Sequence, residues 1–408
     1  MSADPEGARR ARRAEVRRRQ VRRRRVTGAV LLLAVASIGI WAAATLASGR
    51  EKAAITTDST GSLTMTDAGT TTAETTTATT AATTPAVTPG LSKKSVTIAW
   101  VGDTVLGSKY GVPPDGGRTV MAGVAGPLRS ADLTFGNLEE TLSALPDTKC
   151  GGSSNCFAFQ APPAMAKNMT SAGFDVVNLA NNHADDFGAA GQRSTEAALR
   201  TAGVRWTGRP GQITIMRRNG LRIALLGFAP YKWASRLEQI KAAQALVRRA
   251  AARADLVVVA IHAGAEGSGA THVPHGTEYF LGENRGNSRA FAHAVVDAGA
   301  DLVVGSGPHV IRGVERYHGR LIAYSLGNFA GYKNFGTGGT LSLSAILSVQ
   351  LRGDGSLLGG TWTSLLLDGS ALPHLDPSDA SAHLVAQLSR EDFGSAGARI
   401  AQDGTIRP

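Results

Sequence analysis

The chain has 408 residues, 43% of them apolar and 5% aromatic, with 49 glycines; this is globular material, and disorder throughout is excluded. The formal charge of +11 is concentrated at the front, where residues 1–26 hold eleven arginines against Asp4, Glu6 and Glu15; that is +8, leaving +3 for the rest. A nucleic-acid-binding domain carries its basic residues on the fold itself, so no nucleic acid partner is expected.

Residues 1–25 read as a cytoplasmic, arginine-rich segment. They are followed by an uncharged apolar run, VTGAVLLLAVASIGIWAAATLAS, over residues 26–48. As a helix this run would be about 34 Å long, enough to cross a hydrocarbon core of about 30 Å. The arginine excess lies before it, so the positive-inside rule puts the N-terminus in the cytoplasm and the remainder outside. The expected protein is a single-pass protein of the cell membrane with an extracellular domain. A cleaved secretory peptide ending near 43–48 is the alternative. Residues 49–93 are threonine-rich and have no apolar period, which predicts a disordered stalk, with or without O-linked sugars.

Regular structure is predicted from residue 96. Short apolar, β-branched runs at 96–102, 132–139, 174–180, 222–229, 255–262, 301–307 and 320–329 read as buried strands. Helical stretches at 191–202, 237–254 and 288–298 fall between several of them. The alternation predicts an α/β class with a largely parallel sheet. After Phe329, alternating runs about a Gly-Asp-Gly turn predict a hairpin and a second, more antiparallel layer. The expected domain covers 94–372, with 373–408 as a C-terminal extension. Cys150 and Cys156 flank Gly-Gly-Ser-Ser-Asn; in an oxidising compartment they are expected to form a disulfide.

Polar residues recur at strand ends. Asp103 follows the first strand, Asn137 and Glu139 the second, Asn181, Asn182 and His183 the third, His262 and Glu266 the fifth, and His309 the sixth. The carboxyl ends of parallel strands form one crevice, so these residues should converge. Carboxylate, amide oxygen and imidazole suit a divalent cation, Mn, Zn, Fe or Mg, and a metal-activated hydrolytic site is the natural reading. Taken singly, each residue also has a structural use: an Asn-Asn-His run can cap a helix.

The runs GDTVLG, GNLEETL, ANNHADDFG, IHAGAEG and GPHVIRGVERYHGRLIAYSLGNF, in this order over 96–329, resemble the motifs of the bacterial capsule-synthesis CapA family, associated with poly-γ-glutamate capsules. That family is similar in fold to calcineurin-like metallophosphoesterases. The resemblance therefore implies an α/β/β/α sandwich, here preceded by one transmembrane helix. It implies Asp103, Glu139, Asn182, His262 and His309 as metal ligands, with Glu139 in place of a bridging carboxylate. It implies His183 as general acid or leaving-group contact and Asp186 as the group that orients it. Asn137, Asn181, Glu266 and Asn328 are assigned to substrate contact.

Three departures from the pattern stand out. Gly307 occupies the first place of a His-Pro-His run, Ala263 the place of a tryptophan, and Thr104-Val105 the place where phosphoesterases carry x-His after the first aspartate. One well-held metal is expected. The functions in competition are a component of capsule or poly-γ-glutamate assembly or export acting on an anionic polymer, a metal-dependent hydrolase of a phosphoester or γ-glutamyl amide, and a binding module. The membrane and other capsule-synthesis proteins are the expected partners besides the polymer.

Overall fold

The computed structural model of the chain describes residues 94–108, 111–151, 153 and 156–408. The arginine-rich segment, the candidate span at 26–48 and the threonine-rich stalk lie outside these residues. Among the described residues no helix is long and apolar enough to cross a membrane.

Strand β1 (Ser95–Val105) sets the pattern of the core. Val96, Ile98 and Trp100 turn to one face and Ala99 and Val101 to the other, and all five are at most 1% exposed. Side chains on a strand alternate between faces, so a sheet covered on both sides buries both sets. The chain continues through α1 (Ala125–Ser130), β2 (Leu133–Leu138), a small ladder of β3 (Thr141–Leu142) with β4 (Gln160–Ala161), and α2 (Ala166–Ala172). Then come β5 (Val176–Asn178), α3 (Gly188–Ala202) and β6 (Arg205–Thr207). Strands β1, β2, β5 and β6 run parallel, side by side.

A second sheet follows. It is built by β7 (Thr214–Arg218), β8 (Leu221–Ala229) and β9 (Ser235–Arg236), then α4 (Ile240–Ala251) and β10 (Leu256–His262). The hairpin of β11 (Glu278–Phe280) and β12 (Glu283–Gly286) leads to α5 (Ser288–Asp297), β13 (Leu302–Ser306), β14 (Val314–Tyr317) and β15 (Arg320–Ala323). Here β8, β10, β13 and β15 are parallel neighbours, with β7 and β14 antiparallel at the edges. The chain returns to the first sheet as β16 (Asn328–Gly331), β17 (Leu343–Arg352), β18 (Leu357–Leu367) and β19 (Pro373–Leu375), and ends with α6 (Ala380–Phe393) and β20 (Thr405–Ile406).

The inward faces of the two sheets share one core, in which Ile98 and Trp100 meet Ile223, Leu225 and Val258. Trp100 Nε1 donates to the carbonyl of Gly305 at 3.1 Å, tying β1 to the opposite sheet. Helices α1, α2 and α3 cover the outer face of the first sheet through Leu128, Met169 and Leu199. On the second sheet, α4 sends down Ala243, Leu246, Val247 and Ala250, spaced as one helical face requires. Helix α5 packs beside it, begun by the side chain of Asn287 accepting from the Ala290 amide at 3.0 Å. The layers are thus helix, sheet, sheet, helix.

Four expectations about this architecture need correction. The predicted strands do not form one largely parallel sheet: the first three lie in one sheet and the next four open or build the other. Period cannot separate them, because both sheets are covered on both faces and both read as continuous apolar runs. The hairpin after Phe329 exists as β17 and β18, yet it extends the first sheet antiparallel to β1 instead of forming a further layer. Residues 320–329 are not one strand. The chain leaves the second sheet after Ala323, turns at Gly327 (φ +70°), and enters the first sheet with Asn328 opposite Asp103. Residues 373–408 are also more than an extension. β19 and β20 pair with β18, and α6 inserts Ala382, Val385 and Leu388 into the core between the sheets.

Candidate metal centre

The two sheets present the carboxyl ends of β1, β2, β10 and β13 to the same edge, and the polar strand-end residues meet there. Asp103, Glu139 and His262 are fully buried. Each offers a ligand atom, and these atoms lie within 4.8 Å of one another. His262 Nε2 is 3.5 Å from Glu139 Oε1, and its Nδ1 is 3.6 Å from Asp103 Oδ1. His309 closes a further side: its Nδ1 lies 3.3 Å from Asp103 Oδ2 and its Nε2 3.8 Å from Glu139 Oε1.

A framework of amides holds these groups. Asn137 Nδ2 donates to Asp103 Oδ1 at 2.8 Å and lies 3.2 Å from His262 Nδ1. Its Oδ1 accepts from Asn178 at 2.9 Å and Asn181 at 3.3 Å. Asn328 Oδ1 receives His309 Nδ1 at 2.8 Å and its Nδ2 donates to the His309 carbonyl at 3.3 Å, so the crossing chain that carries Asn328 fixes this imidazole. The Gly307 amide donates to Asp103 Oδ2 at 3.1 Å. Ser306 Oγ, 3.1 Å from His262 Nδ1, can accept a hydrogen bond from Nδ1–H, the tautomer in which Nε2 keeps its lone pair.

Glu139 is the anomaly. Neither of its carboxylate oxygens has a hydrogen-bond partner among the described residues, and neither does His262 Nε2 nor Asn182 Oδ1, although all are buried. Buried polar atoms are satisfied almost everywhere in folded proteins, and an isolated buried carboxylate costs several kcal/mol. Burial, with the carboxylates of Asp103 and Glu266 nearby, pushes the Glu139 pKa well above the usual range. Burial pushes His262 down to about 4, so its imidazole is neutral. Asp103 is also disfavoured as an anion by burial, but its contacts with His262 and His309 hold its pKa below the ordinary carboxylate value. An ionised aspartate, a neutral imidazole and an unsatisfied carboxylate turned toward one point are a donor set that fits a divalent cation.

His183 stands beside this set. It is 6% exposed, its Nδ1 bonds Asp186 Oδ2 at 2.8 Å, and its ring stacks on Phe159 at 4.1 Å. Burial lowers its pKa despite Asp186. The neutral ring therefore donates Nδ1–H to Asp186, which leaves Nε2 unprotonated. Asp186 is gripped from the expected disulfide loop: Lys149 Nζ pairs with Oδ1 at 2.7 Å and the Phe159 amide donates to Oδ2 at 2.6 Å. The Cys150–Cys156 disulfide is formed.

The family model described as bacterial capsule synthesis protein PGA_cap matches residues 97–333, which contain every strand-end residue named above. The chain belongs to this family. The capsule biosynthesis protein CapA of Bacillus anthracis is 30% identical over 326 residues, covering 73% of this chain and 74% of that protein. The PGA biosynthesis protein CapA of Bacillus subtilis (strain 168) is 28% identical over 281 residues, covering 64% and 69%. A solved structure of a putative 5'-nucleotidase from Staphylococcus aureus has a TM-score of 0.40 and 14% identity, covering 72% of this chain and 58% of that one, too slight a likeness to bear on the reading.

In this capsule synthesis protein the expected ligands Asp103, Glu139, His262 and His309 come together, and Asn182 adds an unpartnered amide oxygen next to Asn181. The expectation that Asn137, Asn181 and Asn328 touch substrate does not fit their placement. All three are at most 1% exposed and spend their amides on internal hydrogen bonds that brace Asp103, the Leu138 carbonyl and His309. Glu266 does face outward, with 19% of its side chain exposed, and lies 3.8 Å from His309 Nε2.

Two residues that sequence reading passed over also build the site. Arg285, 1% exposed, bonds Glu266 at 2.8 Å, the Tyr231 hydroxyl at 3.0 Å and the Gly307 carbonyl at 3.3 Å. It sits on the short strand β12, which carries no apolar signal. Ser306 is hidden inside an otherwise ordinary strand end.

Proposed function

We propose that this chain is a membrane-anchored, extracytoplasmic protein of capsule or poly-γ-glutamate assembly whose metal centre acts hydrolytically on an anionic polymer. The observation that carries the metal reading is Glu139, buried, without a hydrogen-bond partner among the described residues, and 3.5 Å from the unbonded Nε2 of His262. Asp103, Glu139 and His262 would hold one divalent cation, with His309 and Asn182 completing the set. Donors of oxygen and imidazole without thiolate suit Mn, Zn, Fe or Mg. When bound, such a cation polarises a substrate oxygen and lowers the pKa of water.

The chain's own residues supply the rest. His183, kept neutral with its Nδ1–H on Asp186, has an unprotonated Nε2 that can take a proton from water or substrate and return it to a leaving group. Lys149, whose side chain is 36% exposed beside Asp186, faces an incoming anion with positive charge. Anchoring is supported by the uncharged run at 26–48 behind its arginines, and an outside location is in keeping with the disulfide. Polymer binding without turnover is a second reading, favoured by a glycine at 307, which offers no imidazole beside Pro308-His309.

The test uses the metal-loaded, full-length chain with two probes, poly-γ-glutamate followed by its chain length and bis(p-nitrophenyl) phosphate. The wild type should cleave at least one of them, and His183→Ala should be slower by about 100-fold. Equal rates for the two proteins, or no cleavage of either probe, overturns the hydrolytic part and leaves the binding reading.

A further inference from the structure

Between the loop that follows β8 and helix α4 lies a cleft of about 370 Å³ that the metal-centre chemistry does not use. Its floor is apolar, formed by Phe228, Ala243 and Leu246, each at most 5% exposed. Its rim carries Lys232, Arg236 and Arg249, and no carboxylate lines it. Arg236 is already paired with Glu238 at 2.7 Å. Lys232 and Arg249 are exposed and have no hydrogen-bond or ion-pair partner among the described residues. Helix α4 adds Lys241 and Arg248 and contains no acidic residue, so the positive potential over the cleft is not cancelled from that side.

The segment that carries Lys232 also touches the framework of the metal centre. Lys232 stands between Tyr231 and Trp233, whose rings stack at 5.1 Å. The Tyr231 hydroxyl receives Arg285 at 3.0 Å, and Trp233 Nε1 donates to the Asn181 carbonyl at 2.8 Å. The segment that presents Lys232 is therefore pinned on both sides of it to the framework that positions the ligands.

We infer that this cleft is a binding subsite for an anionic chain whose carboxylates are separated by methylene groups, the chemistry of γ-linked glutamate. The methylenes would lie on the Phe228–Leu246 floor while carboxylates reach Lys232 and Arg249. A purely polar polyanion would gain nothing from that floor, and an uncharged chain would gain no ion pairs with Lys232 and Arg249. The inference rests on the polymer reading above and adds where the polymer is held.

The experiment measures binding of a fluorescent γ-linked glutamate decamer to the purified full-length chain, with a γ-linked glutamine decamer as uncharged comparator. Wild type should prefer the glutamate decamer. The pair Lys232→Glu with Arg249→Glu should weaken it about tenfold, while Arg200→Glu with Arg205→Glu, the same charge change in a cleft elsewhere, should not. Both pairs are exposed, so thermal midpoints should match wild type and any loss reads as binding. Equal weakening by the two pairs would reduce the effect to net charge and overturn the subsite. Undiminished binding by the Lys232/Arg249 pair overturns it while the polymer reading stands; absence of binding by wild type overturns both.

Discussion

Gly307 makes two contributions that a larger residue could not. Its amide holds Asp103 Oδ2 at 3.1 Å, and its backbone has φ +111°, a conformation L side chains rarely adopt. A Cβ there would meet His262 Cδ2 and Nε2 at 3.2 Å and the Ala263 amide nitrogen at 3.0 Å. A side chain in place of Gly307 would thus be strained by the backbone as well as crowded by its neighbours. Gly307→Ala should lower unfolding free energy by about 1–3 kcal/mol in urea titration and weaken metal retention; an unchanged midpoint would contradict this account of the loop. His309, two residues on, is itself at φ +61°, an uncommon conformation for a residue other than glycine and one that recurs at functional sites. The sequence made Asp103, Glu139, His262 and His309 legible, because each closes or follows an apolar run. It did not reveal which amides are struts, since Asn137 and Asn328 differ from surface asparagines only in what surrounds them once folded.

At the scale of elements, the disulfide loop and the crossing chain do most to shape the site. Lys149 and Phe159 lie just outside Cys150 and Cys156, and both reach Asp186, the partner of His183. Closing the loop fixes the spacing of those two contacts. The double change Cys150→Ser and Cys156→Ser should cost about 2 kcal/mol of stability by loop entropy. It should also raise hydrogen exchange at the Lys149 and Phe159 amides, while amides of β10 keep their protection. Unaltered exchange at those two amides would show that the bridge does not hold Asp186. Strand positions were legible from period and composition, and helices 288–298 and 191–202 came within a few residues of α5 and α3. Sheet membership was not legible, because the turn at Gly327 that moves the chain from one sheet to the other interrupts an apolar run without a charge or proline to mark it.

For the whole molecule, stability depends on two sheets sharing one core and on buried ionisable groups at their ends. Asp301, at the start of β13, receives the Val257 amide at 2.8 Å and lies 3.2 Å from Arg320. Burial nevertheless pushes its pKa up to about 6. The native state then binds more protons than the unfolded chain between the ordinary carboxylate pKa and that value. The stability this group supports is present at about pH 4 and is lost as pH rises through about 6. The difference in unfolding free energy between wild type and Asp301→Asn should therefore fall by about 2 kcal/mol from pH 4 to pH 7; a flat difference would contradict the burial argument.

Whether Asp103, Glu139 and His262 hold a divalent cation is decided by the metal content of the purified full-length chain. After chelation and reloading with Mn or Zn followed by dialysis, elemental analysis should find one divalent cation per wild-type chain and none in Glu139→Gln. A wild-type chain that keeps no metal, or a Glu139→Gln chain that keeps as much, would contradict such a site.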